Sequence, residues 1–129
     1  GGFGALTDSL IEMVAKRLIT GGVPDAYATS MTYASWRSPY CPDPRDFHQI
    51  TLRRLNEGSL VWVYLGHGQR NALDRLRTPA GTFHILGTDD VARVRCTGGL
   101  PIAVLLSCYS GAFDAPVDCH FSFLEFVGG

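Results

Sequence analysis

Apolar positions fall into two kinds of pattern along this chain, and each predicts its own elements. Leu6, Leu10, Met13, Val14 and Leu18 recur at helical spacing. They predict an amphipathic helix over residues 6–19, with these side chains on the buried face. Thr7 or Asp8 can cap its start, and Gly21-Gly22 ends it. A second helix is predicted over residues 44–58. Asp43 is its cap, Pro44 suits the first turn, and Gly58 follows the end. Phe47, Ile50, Leu52 and Leu55 give this helix an inward face. Residues 23–43, between the helices, show no period; Pro24, Pro39 and Pro42 punctuate an irregular loop.

The later pattern is different. LVWVYL, residues 60–65, and IAVLLS, residues 102–107, are short unbroken apolar runs. Such runs predict strands covered on both faces, as in a parallel sheet. TDDVARVR, residues 88–95, reads as a short helix capped by Thr88 that can carry the crossover between them. Residues 69–87 read as mostly loop, with a short strand or turn in GTFHIL, and a last helix is predicted near Phe121. The order helix, helix, strand, helix, strand, helix predicts an α/β sandwich with a mostly parallel sheet.

Composition narrows the function. The chain has 129 residues, the size of one domain, and 11 basic against 12 acidic residues leave a net charge of −1. That balance gives no electrostatic footprint for nucleic acid or an anionic membrane. No apolar run approaches the roughly 20 residues of a membrane helix. The first residues, GGFGALTDSL, have neither the basic leader nor the apolar core of a signal peptide. Because the sequence starts at Gly1 and stops soon after its last predicted helix begins, it reads as a single, partial domain of a longer protein. Its four cysteines, Cys41, Cys96, Cys108 and Cys119, contain no C-x-x-C pair and are too sparse for a disulfide scaffold, which leaves one or two bridges open, with three ways of pairing all four.

Both apolar strands stop at chemistry. The first runs into Gly66-His67-Gly68, and the second reaches Cys108 with Gly111 just beyond. Ligands of open parallel sheets bind beyond the carboxyl ends of the strands. Neighbouring strands lie about 4.8 Å apart, so adjacent tips can bring His67 and Cys108 to one site. Such a pair is a nucleophile with its base. The thiolate attacks, and an imidazole that titrates near neutrality takes and returns a proton. The N–H groups of Gly68 and Cys108 are candidate donors to an oxyanion. The plainer alternative is a cysteine that only packs and a histidine that is only a polar loop residue.

LNEGSLVWVYLGHGQ resembles the histidine motif of clan CD cysteine peptidases, most closely the gingipain-like C25 family, where a helix and an N-x-G turn lead into a strand ending in G-H-G. TDDVARVRCTGGLPIAVLLSCYSGAFD resembles the partner motif, with S/T-x-D-V, a loop, L-P, a strand and the nucleophilic cysteine. The resemblance spans about residues 44–126. It implies that His67 is general base and acid, Cys108 the nucleophile and Gly68 an oxyanion donor. It also implies the three-layer caspase–hemoglobinase α/β sandwich, incomplete at its C-terminus. The implied activity is thiol endopeptidase activity on a peptide or protein substrate, with no metal or other cofactor. A secreted or cell-envelope setting and further domains of a longer parent also follow from the resemblance. DCHFSFLEF departs from the family's C-F-A-E pattern by spacing Cys119 and Glu125 differently. Asp25, Asp43 and Asp114 compete as partners of a basic substrate side chain with nothing to choose between them. The alternative is an inactive or truncated α/β domain that binds peptides or proteins.

Other polar residues have simpler readings. Cys119-His120 with Cys96 or His84 fits no common zinc spacing, so no metal site is expected. His48 reads as a solvated or cap-side helix residue and His84 as structural. Trp62 and Tyr64 read as packing, as do Trp36 and Tyr40 unless they wall a pocket. Arg70, Arg75 and Arg77 form a solvated basic patch that could meet an acidic substrate side chain. Gly98-Gly99 is a turn, since no G-K-[ST] follows.

Overall fold

A computed structural model describes residues 3–110 of the chain. Gly111, Asp114, Cys119, His120, Glu125 and the helix predicted near Phe121 lie outside the described residues. The elements in chain order are α1 (Ala5–Gly21), α2 (Phe47–Glu57), β1 (Val61–Leu65), β2 (Arg75–Thr78), β3 (Gly81–His84), a 3₁₀ helix (Thr88–Arg93) and β4 (Ile102–Leu106). β1 and β4 pair in parallel, which makes this a mixed α/β arrangement. β2 and β3 form a separate antiparallel hairpin where mostly loop is expected.

The core lies between α2 and the hairpin. Phe47, Leu52 and Leu55 of α2 meet Leu73, Leu76, Ile85 and Leu86, and Trp62 and Tyr64 of β1 pack against this cluster. The expected inward face of α2 is therefore present, with Ile50 half-buried at its margin. The start of this helix corrects the expectation. Residues 44–46 form turns, and Asp43 holds that turn rather than capping the helix: its Oδ1 accepts the N–H of Arg45 at 2.9 Å.

Two faces differ from the sequence expectation. α1 is capped at its start by Gly4 rather than by Thr7 or Asp8, with no side-chain cap, and Gly22 caps its end. Leu6, Leu10, Met13, Val14 and Leu18 are all exposed. The helix touches the irregular segment instead, through Tyr33 Oη donating to the carbonyl of Asp8 at 2.6 Å and Lys16 lying over the Tyr40 ring. The parallel strands are covered on one face only among the described residues. Val61, Val63 and Leu65 alternate with the packed Trp62 and Tyr64, and stand exposed beside Ile102, Val104 and Leu106. An unbroken apolar run predicts burial, yet neither α2 nor the hairpin reaches this outer face. Among the described residues, no helix is long and apolar enough to cross a membrane.

Candidate active site

Asn56 sets where the two parallel strands begin. It stands in the last turn of α2, in the N-x-G sequence before β1. Its Oδ1 accepts the N–H groups of Arg95 at 2.6 Å and Cys96 at 3.3 Å, and its Nδ2 donates to the carbonyl of Arg93 at 3.1 Å. Its own carbonyl accepts both the N–H and the hydroxyl of Thr97. The following Gly58 has φ +83°, and a Cβ there would lie 2.7 Å from the Cα of Gly98. Only glycines let these two loops come this close. The segment entering β1 is thus stitched to the segment entering β4.

From this anchor the strands run level. Val61 pairs with Ile102 and Leu65 with Leu106, and the N–H of Gly66 still reaches the carbonyl of Leu106 at 3.3 Å. His67 lies two residues beyond Leu65, and Cys108 two residues beyond Leu106. The loops behind them touch: a Cβ on Gly68 would overlap the carbonyl oxygen of Cys108 and sit 3.1 Å from the Ser107 hydroxyl. The strand ends that the sequence assigns to one site are therefore neighbours in space.

Each end is held differently. After His67 the chain folds back at once. Gly68 bridges Leu73, Gln69 N–H donates to Ala72 at 2.8 Å, and Leu73 N–H donates to Leu86 at 2.9 Å. Tyr64 braces this loop from inside. Its hydroxyl donates to the carbonyl of His67 at 2.7 Å and accepts the N–H of Asp74 at 3.2 Å. Burial, partly opposed by that hydrogen bond from Asp74, pushes the phenol pKa up to about 12. Tyr64 is thus more than the packing residue its alternation predicts. At the other end, residues 107–110 make a tight turn: Tyr109 sits at φ 60°, and Ser110 bonds both the hydroxyl and the carbonyl of Ser107. A left-handed tyrosine is unusual, and the turn projects Cys108 into solvent.

A small cleft opens beside this turn, lined by Gly68, Arg70, Asn71, Thr88, Cys108 and Tyr109 among others. Among the described residues, no hydrogen bond takes up the N–H of Gly68 or of Cys108. The half-buried His67 ring lies against Phe3, with centroids 4.0 Å apart. Arg70 reaches over the Tyr109 ring at the rim, while Arg75 and Arg77 sit exposed on β2. Cys41 and Cys96 are free thiols like Cys108.

A second polar cluster was not legible in the sequence. Asp90 is only 5% exposed, and its carboxylate meets three side chains. Nε2 of His48 lies 2.8 Å from Oδ1, Nε2 of His84 lies 2.9 Å from Oδ2, and Arg93 donates to Oδ1 at 3.3 Å. Gly87 N–H also donates to Oδ2 at 3.0 Å. Burial raises the pKa of this carboxyl, but hydrogen bonds from His84, Gly87 and His48 outweigh it and hold it below its ordinary value. Thr88 does not cap the 3₁₀ helix; its hydroxyl donates to the carbonyl of Asn71. His48, expected to be a solvated or cap-side residue, lies in the first turn of α2 and, with His84, expected to be structural, holds one carboxylate. Forty-two residues separate His48 from Asp90, and no local spacing could signal that contact.

No curated protein and no solved structure matches the chain. The model of one family does, over residues 4–124, described as Peptidase family C25. That match covers both strand ends, the Asn56 turn and nearly all of the chain, and the chain belongs to peptidase family C25, the gingipain-like cysteine peptidases.

Proposed function

We propose that the protein is a cysteine endopeptidase, with Cys108 as nucleophile and His67 as its general base and acid. The observation that carries this reading is the level register of β1 and β4, which brings the Gly68 loop onto the backbone of Cys108. In this mechanism the imidazole of His67 takes the Cys108 proton, and the sulfur attacks the carbonyl carbon of the scissile bond. The oxygen becomes an oxyanion facing the N–H groups of Gly68 and Cys108. Each such donor is worth about 3 kcal/mol of transition-state stabilisation. The C–N bond then breaks as His67 returns the proton to the leaving amine. Water, deprotonated by His67, attacks the thioester, releasing the carboxylic acid and restoring the thiol. The reaction requires no metal or cofactor. The scaffold of this reading is the three-layer caspase–hemoglobinase sandwich, in which β1 and β4 are central strands.

A second reading is a peptide-binding domain without turnover. The Phe3 ring against His67 favours it, because that ring takes up space beside the imidazole that a substrate would have to share. A fluorogenic peptide library, assayed with a reductant present, separates the two. Peptidase action predicts hydrolysis that is insensitive to chelators and lost in both Cys108→Ala and His67→Ala, with iodoacetamide labelling Cys108 first. Undiminished hydrolysis in Cys108→Ala would overturn the mechanism. Peptide binding without hydrolysis, in wild type and Phe3→Ala alike, supports the second reading.

A further inference from the structure

None of His48, His84 and Asp90 lines the cleft, and the mechanism above does not use them. Its three donors come from three elements: His48 from the first turn of α2, His84 from the end of β3, and Asp90 from the 3₁₀ helix. Their ligand atoms all lie within 4.8 Å of one another. The two imidazole rings meet edge to face with centroids 4.9 Å apart, and each presents Nε2 to a different oxygen of one carboxylate. Two imidazoles and a carboxylate are a donor set suited to zinc and similar divalent transition metals, with a fourth position left for water. Donors about 2.1 Å from a four-coordinate zinc lie roughly 3.4 Å apart. The His–Asp distances here, 2.8 and 2.9 Å, need to open by about half an ångström to reach that spacing.

The surroundings suit the same role. Metal-ligating carboxylates are themselves held by hydrogen bonds, and Gly87 N–H and Arg93 hold this one. The side chain of Asp90 is nearly buried, whereas that of His84 is 42% exposed and leaves a way in from solvent. We propose that His48, His84 and Asp90 bind a divalent transition metal of the zinc class, which clamps α2, the hairpin and the turn leading to β4. The ion would hold these elements together and stay separate from the thiol chemistry. Arg93 limits affinity, because its charge lies beside the ion while its hydrogen bond orients the carboxylate.

Zinc titration by calorimetry and cobalt substitution on the whole chain test this. The expected result is one tightly bound ion per chain, visible cobalt bands of a nitrogen–oxygen site, and no thiolate-to-metal charge-transfer band. His84→Ala and the bulk-conserving His84→Gln should each weaken binding about a hundredfold or more, beyond what outer-shell partners alone are worth. Arg93→Gln should tighten it, and Cys108→Ala should leave it unchanged, which keeps this test independent of the peptidase reading. Zinc bound equally by wild type and a folded His84→Gln, zinc held by Cys108, or no zinc bound at all would each reduce the cluster to a hydrogen-bonded clamp and overturn the proposal.

Discussion

The hydroxyl of Tyr64 donates to the backbone carbonyl of His67 at 2.7 Å, so a core side chain of β1 fixes the loop that begins at its own strand end. The same oxygen accepts the N–H of Asp74, tying that loop to the segment entering the hairpin. Tyr64→Phe keeps the ring in the core and removes both bonds. It should cost about 1–3 kcal/mol, since the His67 carbonyl and the Asp74 N–H lose their partner. Peptide hydrolysis should fall by more than the loss of folded protein explains. Thermal unfolding and steady-state kinetics on the same preparation check both halves.

Gly68 tests the closeness of the two strand ends. A methyl group there meets the carbonyl oxygen of Cys108, which is backbone and cannot swing aside. Gly68→Ala should therefore push the His67 loop away from Cys108, at a cost of about 1–3 kcal/mol, typical of overpacking. The expected outcome is a folded protein with little or no hydrolysis. Gly21→Ala is the matched control. Nothing lies within 4 Å of a Cβ there, and the position is helical, so stability should hold or rise slightly. Circular dichroism melts of the two variants, beside activity, distinguish a local displacement from general damage.

The legible parts of this fold were those that local pattern controls. α2 and the paired strands announce themselves through apolar spacing, and Gly-His-Gly with Cys108 marks their ends. The faces were less legible, because periodicity says which side chains share a side but not whether anything covers it. Leu6 and Leu10 on α1, and Val63 and Val104 on the strands, have the spacing of packed faces yet stand exposed among the described residues. A short strand or turn in GTFHIL was legible and corresponds to β3, but its partner β2 was not, because RLRT is polar on alternate positions and Leu76 alone reaches the core cluster. The contacts of Asp90 with His48 and of Asn56 with Arg95 are long-range polar pairs, set by tertiary geometry that no window of sequence contains.

Asn56 carries the next prediction. Its side chain accepts two N–H groups and donates to one carbonyl of the 93–96 segment, on the path to β4. Asn56→Ala strands all three and should destabilise by about 2–3 kcal/mol. Asn56→Asp keeps the acceptor and loses the donor, so it should fall between wild type and Ala. Because this contact ties the starts of β1 and β4 together, loss of hydrolysis should follow the same order. Chemical denaturation with paired activity assays would expose any other ranking.

Asp90→Ala should be more damaging than loss of one surface ion pair. It leaves the Gly87 N–H and the Nε2 of half-buried His48 without their acceptor. The expected cost is about 1.5–3 kcal/mol, the range for hydrogen bonds to a charged group. The 3₁₀ helix should loosen first, since Asp90 fastens it to both α2 and β3. Limited proteolysis of the variant should cut within residues 88–100 before any other described segment, and the wild type should resist at that site.

Alkaline stability follows from Tyr64. Its folded pKa of about 12 stands above the ordinary phenol value of 10.0, chiefly because burial disfavours the phenolate. Between those limits the unfolded chain loses this proton more readily than the folded one, so the unfolded state binds fewer protons and stability falls as pH rises. The contribution is fully present below pH 10 and is lost as pH rises through about 12. Tyr33, raised by burial and by the nearby Asp8 and Glu12, acts with the same sign. Denaturant midpoints should therefore decline across this range in the wild type and decline less in Tyr64→Phe. Phenolate absorbance should show one late-ionising tyrosine in the wild type that the variant lacks. Full ionisation of every tyrosine in step near pH 10 would place Tyr64 in solvent, and the brace on His67 would go with it.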